Sequence, residues 1–276
     1  MSALKYLKVL ARSRSIAFTK DYIDNDKSKG TQEIRSFKWQ AGDGLDIFYR
    51  TGTSDVGIIY DVLVKPGTSA EYFLPPNMKV NVILDVGANI GATSRYLAHL
   101  FPRAAIHAFE PIPANFELLM RNTEGLAKIF PHPCGLGPSD GQFELRIGGA
   151  STANQGGYSL FANGSPETKA IATIRDVRGV LAELNVASID IIKIDTEGAE
   201  FSILSAFPND ILKGVSWIYG ELHTEHIDEP TDFKVLDLLS PFFYVGVYKP
   251  MFKRNYSFDA CRKDLHEKFR RFRRRR

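Results

Sequence analysis

The chain has 276 residues, of which 44% are hydrophobic, 12% aromatic and 24% charged, a composition that excludes collagen-like, broadly disordered and disulfide-stapled classes. Its net charge of +3 is unevenly placed: RRFRRRR at 270–276 holds six arginines, leaving +3 − 6 = −3 for the rest, so nucleic-acid binding by the folded body has little support. No run approaches the roughly 18 apolar residues of a membrane span, and the start lacks the apolar core and cleavage site of a signal peptide. Two cysteines, Cys134 and Cys261, fit a reducing cytoplasm with both thiols structural.

In chain order, residues 1–45 read as an N-terminal extension. Residues 46–79 form a β-rich lead-in, with strands expected at DIFYR (46–50) and VGIIYDVLV (56–64) around a Thr-Gly-Thr-Ser-Asp turn. Leu74-Pro75-Pro76-Asn77 interrupts the chain. From Val80 to residue 250, apolar runs alternate with amphipathic helices: strands at 80–86, 105–111, 189–195 and 215–222, each followed by a helix, at 92–100, 114–122, 199–207 and 232–239. Near-continuous apolar strands alternating with helices predict a parallel sheet covered on both faces, a doubly wound Rossmann-like α/β fold. QFELRI (142–147) and AIATIRDV (170–177) bracket a Gly-, Ser- and Asn-rich loop of about 20 residues, and FFYVGVYK (242–249) alternates like a late antiparallel strand. Residues 251–276 are a C-terminal segment ending in the basic tail.

The sharpest motif is DVGANIG at 85–91, between a strand and a helix. Gly87 permits a tight turn, and the loop opens onto a helix N-terminus suited to an anionic group. Glu110, at the end of the next strand, is placed to accept both hydrogen bonds of a ribose diol. The glycine spacing departs from G-x-G-x-x-G, Asn89 stands where its second glycine would be, and no Walker lysine is present. Asp85 at the turn's entrance welcomes an amino group and repels a diphosphate. S-adenosylmethionine therefore fits better than a nicotinamide dinucleotide.

These stretches resemble the FkbM family of S-adenosylmethionine-dependent O-methyltransferases. The likeness runs from about Arg50 to Lys249, through RTGTSD (50–55), ILDVGANIGATSRYLAHLFPRAAIHAFEPIPANFELL (83–119), Gly-Gly-Tyr-Ser-Leu-Phe (156–161) and KIDTEGAEFSIL (193–204). The resemblance implies a seven-stranded class I methyltransferase sheet that transfers a methyl group to a hydroxyl of a sugar or glycan, a glycolipid or a secondary metabolite. It implies that Asp85, Gly87, Asn89 and Gly91 hold the amino-acid part of the cofactor, with Asp195 beside them. Glu110 would hold the ribose, Pro111 would shape that edge, and Cys134 and Gly135 would face adenine.

IDIIKIDTEGAE ends a buried strand in acids, which an open parallel sheet places beside the cofactor crevice. Methyl transfer is a displacement in which the enzyme positions reactants and manages charge, and a hydroxyl nucleophile must lose a proton. Asp195 and Glu197 are candidates to position the hydroxyl and take that proton; Glu200 reads as capping or charge support. His223, on the next strand end beside Glu221, is the preferred general base as a neutral imidazole near pH 7. A magnesium site from Asp195, Glu197, Glu221 and His223 is weighed and set aside for want of tight ligand spacing, so a metal-free mechanism is expected. Arg50, Ser54 and Asp55 can fold back as a lid that touches the acceptor with Glu221, and the loop around Tyr158 and Ser159 is a second lid. An alternative function is a catalytically silent methyltransferase fold serving as a scaffold or membrane-surface module, with Arg270–Arg276 against anionic lipid at the inner face of the membrane.

Overall fold

A computed structural model describes residues 3–25, 32–65, 72, 74, 75, 77–147, 158, 159, 169–223, 231–248 and 255–269. Two helices open the chain, α1 (Ala3–Ser13) and α2 (Ile16–Asp24), the second capped by Ser15, whose side chain accepts from the Phe18 amide at 3.1 Å. A hairpin follows, β1 (Ile34–Lys38) and β2 (Asp46–Arg50). The expected strand at 56–64 is instead a helix, α3 (Asp55–Ile59), continued by a π-helical turn (Tyr60–Val64). Its apolar run hid a helical period: Val56, Ile59, Val62 and Leu63 are buried while Ile58, Tyr60 and Asp61 are half-exposed.

The core then runs β3 (Val82–Val86), α4 (Ala92–Leu100), β4 (Ala105–Phe109), α5 (Pro113–Thr123), β5 (Ile129–His132), β6 (Gly135–Gly137), β7 (Gly141–Ile147), β8 (Tyr158–Ser159), β9 (Lys169–Asp176) and α6 (Val177–Glu183). It continues through β10 (Ile191–Ile194), α7 (Glu200–Ala206), α8 (Asn209–Gly214), β11 (Trp217–His223), α9 (Thr231–Leu239), β12 (Phe243–Val247) and β13 (Asn255–Arg262), and closes with a 3-10 turn (Lys263–Leu265) and α10 (His266–Phe269).

Seven strands form one sheet in the order β12-β13-β11-β10-β3-β4-β5, parallel except where β13 runs antiparallel to both its neighbours. The late strand read at 242–249 is β12; its partner β13 comes from the C-terminal segment and inserts between β12 and β11. Pro131 interrupts β5, which the edge position tolerates. A smaller sheet, β6-β9-β7-β8, lies after β5 in the chain.

Strand alternation sorts the core into two faces. Ile83, Ile191, Trp217 and Cys261 stand side by side in register and pack with the N-terminal helices through Val9 and Phe18. The next register row, Leu84, Ile192, Ile218 and Ala260, faces the opposite way, toward Leu181, Leu204 and Leu239. The row after that is polar: Asp85, Lys193, Tyr219 and Asp259. The carboxyl ends of β3, β4, β10 and β11 thus open on one edge.

Candidate active site

The first acidic turn leaves β3. Asp85 is fully buried; its Oδ2 accepts from Ser94 Oγ at 2.6 Å, and its Oδ1 has no hydrogen bond, lying 3.5 Å from Lys193 Nζ. The Gly87 and Ala88 amides both donate to the Phe109 carbonyl at the end of β4. Gly87 and Gly91 take left-handed φ values of +80° and +85°. A Cβ at Gly87 would lie 1.9 Å from the Asp195 carbonyl oxygen, so glycine here lets the β3 and β10 loops close on one another. Asn89 also adopts positive φ (+50°), and its side-chain oxygen is buried without a hydrogen bond.

Glu110 closes this half of the site. Its Oε2 accepts from the Asn89 amide at 2.8 Å, and its Oε1 from the Ile112 amide at 3.0 Å and from Asn115 Nδ2 at 3.4 Å. Burial pushes its carboxyl up to about 7, against the pull of those three donors and of Lys193. Pro111 packs beside Gly135, within 3.5 Å of where a Cβ would stand. Cys134 is half-buried with its thiol raised by burial, a packing residue at the same edge.

Arg50 and Asp55 do not present themselves to an acceptor as a lid. They are buried and pair with each other, Arg50 Nε to Asp55 Oδ2 at 2.7 Å and Nη2 to Oδ1 at 2.9 Å. Arg50 Nη2 also donates to Asn115 Oδ1 at 2.8 Å, which turns the Asn115 amide so that its NH2 faces Glu110. Two buried charges are held by mutual pairing, and their place is behind Glu110. Ser54 is half-buried ahead of α3 and makes no side-chain cap. Tyr158 and Ser159 form β8, paired with β7; the rest of the Gly-rich loop, 148–157 and 160–168, lies outside the described residues, as do the arginines at 270–276.

The second acidic turn leaves β10. Glu197 holds positive φ (+53°) and Gly198 follows at +110°, folding the chain back so that Glu200 Oε1 accepts from the Thr196 and Gly198 amides at 3.0 and 3.1 Å. The same oxygen lies 3.1 Å from His223 Nδ1. The other ring nitrogen, Nε2, faces Glu221 at 3.4 Å, Glu197 at 3.5 Å and Asp195 at 3.9 Å. Four carboxylates therefore surround one buried imidazole. Burial works to lower the His223 pKa, but hydrogen bonds to Glu200 and Glu221 and the neighbouring charges outweigh it and hold it well above the ordinary value. This corrects the expectation of a neutral imidazole near pH 7: in this cluster the ring is the counter-ion of its acids. Loss of water, opposed by the His223 charge and reinforced by Asp195, Glu200 and Glu221, raises the Glu197 carboxyl to about 8. Asp195, Glu221 and His223 each offer a ligand atom within 4.8 Å of the others, a set of two hard oxygens and one imidazole that could hold a divalent cation.

Lys193 links the two turns and was missed as a site residue. It donates to the Gly87 carbonyl at 2.6 Å and lies between Asp85 and Asp195, the latter 3.8 Å away, with Tyr72 Oη 3.3 Å from the same Asp195 oxygen. The signal was present: a lysine inside the all-buried strand IIKI requires a buried counter-charge, which strand register supplies in Asp85.

The strand order, with one reversed strand beside the edge, a glycine turn after the first core strand and an acid at the end of the second, defines a class I methyltransferase fold. The chain belongs to the FkbM family: the Methyltransferase FkbM domain matches residues 85–258. It is 27% identical over 197 residues to Methyltransferase 1 of Beauveria bassiana, covering 65% of this chain and 78% of that protein. It is 29% identical over 169 residues to methyltransferase sdnD of Sordaria araneosa, covering 51% and 62%. Among solved structures, methyltransferase FkbM from Methylobacillus flagellatus matches with a TM-score of 0.47 at 17% identity, over 71% of this chain and 48% of that one. The chain thus spans less than half of that solved relative. It is a methyltransferase-family chain, and no described helix is long and apolar enough to cross a membrane.

Proposed function

We propose that the chain transfers the methyl group of S-adenosylmethionine to a hydroxyl of a sugar or glycan, a glycolipid or a secondary metabolite. The observation that carries this reading is the common edge: Glu110 and the unbonded Asp85 oxygen stand on the β4 and β3 ends, and the His223 cluster on the β10 and β11 ends beside them. Asp85 and the Gly87 turn suit the cofactor's amino-acid part, and Glu110 suits its ribose diol. Asp195, at the junction of the two turns, faces both cofactor and acceptor.

S-adenosylmethionine, held by Asp85, the Gly87 turn and Glu110, would supply an electrophilic methyl group on a sulfonium leaving group, and the acceptor hydroxyl placed by the cluster would give up its proton to one of the cluster's carboxylates. Glu197 is suited to receive it in its ionised form, which a carboxyl raised to about 8 gains only as pH rises through that value, so its work as a base should grow with pH over that range. His223 orients the acids and offsets their charge. A carboxylate-lined crevice leans toward a polyhydroxylated acceptor.

The test is calorimetric titration with S-adenosylmethionine and S-adenosylhomocysteine beside a Glu110→Ala control. Micromolar binding that the variant loses is the expected result. No binding of either ligand by folded protein would remove the methyltransferase reading and favour a silent scaffold.

A further inference from the structure

The N-terminal helix has no part in this chemistry, and its exposed face is not that of an ordinary solvated helix. α1 seats Val9 and Ser13 fully in the body, with Tyr6 and Leu10 half-buried. Leu4 and Leu7 are left 60% and 59% exposed on the far side, with Ala11 completing the same helical stripe. Lys5, Lys8 and Arg12 run alongside them, all exposed, and α1 contains no acid. Arg14, in the turn into α2, and Ile16, the first residue of α2, continue the set, Ile16 at 61% exposure. The basic side chains are only loosely engaged by the body: Lys5 lies 5.1 Å from the centre of the Tyr22 ring, and Arg12 reaches Tyr60 Oη at 3.3 Å.

We propose that this face of α1 docks on an anionic lipid surface. Aliphatic side chains interleaved with lysine and arginine are what a helix lying in the headgroup layer presents, the former entering the acyl boundary and the latter meeting lipid phosphates. A second copy of the chain would bring like charges together across the face. A nucleic acid would answer the charges and leave the leucines in water. The chain outside its arginine tail carries a net −3, so an anionic membrane repels the body while attracting this one face and thereby orients the molecule. The proposal is independent of the methyl-transfer reading.

The experiment is co-sedimentation of the full chain with vesicles of phosphatidylglycerol and phosphatidylcholine, against phosphatidylcholine alone, at low and high salt. Three variants accompany it: Lys5→Ala with Lys8→Ala, Leu4→Ser with Leu7→Ser, and a chain ending at Phe269. Binding is expected only with the anionic vesicles, to weaken with salt, and to fall about fivefold for each lysine removed. The leucine pair should weaken it as well, and the shortened chain should retain part of it. All changed side chains are exposed, so melting temperature and S-adenosylmethionine titration should match wild type and serve as folding controls. Undiminished binding by both α1 variants together with complete loss on shortening would overturn the proposal in favour of the tail. Absence of binding by folded wild type, or tighter retention of a single-stranded RNA than of the vesicles, would also overturn it.

Discussion

The two acidic turns on the carboxyl edge are built from the same kinds of residue and treat their charges in opposite ways. In the first, Glu110 meets two backbone amides and one fixed side-chain amide, each bonded to a stated oxygen, and its companions are held by Ser94 and Lys193. In the second, Asp195, Glu197, Glu200 and Glu221 converge on one ring, Glu200 at 3.1 Å and the other three at 3.4–3.9 Å. A fully bonded carboxylate has one preferred arrangement and suits the holding of a ligand. Glu197, stripped of water and crowded by like charges, has its carboxyl raised to about 8, which suits a group that must exchange a proton during a reaction.

The comparison breaks most sharply if the two halves fail separately. His223→Asn keeps a donor toward Glu200 and removes the second ring nitrogen; Glu197→Gln removes a proton acceptor. Each should lower turnover on a hydroxyl acceptor by about 10²–10⁴-fold and leave S-adenosylmethionine affinity within about twofold. Unchanged turnover in both would move the chemistry elsewhere. A smaller effect concerns Glu110 alone. Its carboxyl is near 7 in the free protein, and the ionised form is the one that accepts both ribose hydroxyls, so cofactor affinity should fall as pH drops through 7 and level off above it. About a tenfold loss per unit below that value is expected; a flat profile in calorimetry would mean that Glu110 does not change charge on binding. The smallest expected effect is that of chelation. If the cluster handles protons without a metal, turnover should be unaltered by EDTA, whereas loss restored by magnesium would recast Asp195, Glu221 and His223 as ligands.

Much of this was legible in the chain. The alternation of apolar strands with amphipathic helices gave the sheet, because each strand is buried on both faces and each helix keeps a 3.6-residue stripe. DVGANIG and Glu110 could be placed because a turn after a strand has a fixed location in such a fold. VGIIYDVLV was not legible as a helix, since β-branched residues in a short run obscure which period is present. Arg50 and Asp55 read as an acceptor-touching lid, because the Asn115 side chain that receives the Arg50 guanidinium lies 65 positions further along the chain. The charge on His223 was equally hidden. Its environment comes from Glu200, 23 positions away, and from a positive-φ turn that aims Glu197 at it, which no local pattern announces.

Arg95, buried in α4, pairs with Asp43 and donates to the Asp46 carbonyl at 2.5 Å. Asn122 exchanges bonds with both the amide and the carbonyl of Phe48, at 2.7 and 3.0 Å, while also donating to the Ile90 carbonyl. These stitches tie the hairpin ahead of the core to the back of the glycine turn. Engineering inherits the consequence. Excising the family-matched span from residue 85 would keep the Asn122–Ile90 bond but sever every bond to the hairpin, stripping the Arg95 guanidinium of Asp43 and the Asp46 carbonyl and leaving the Asn122 side-chain oxygen without its Phe48 amide. The portable unit for grafting, display or minimisation therefore begins upstream of the family motif, at or before the hairpin.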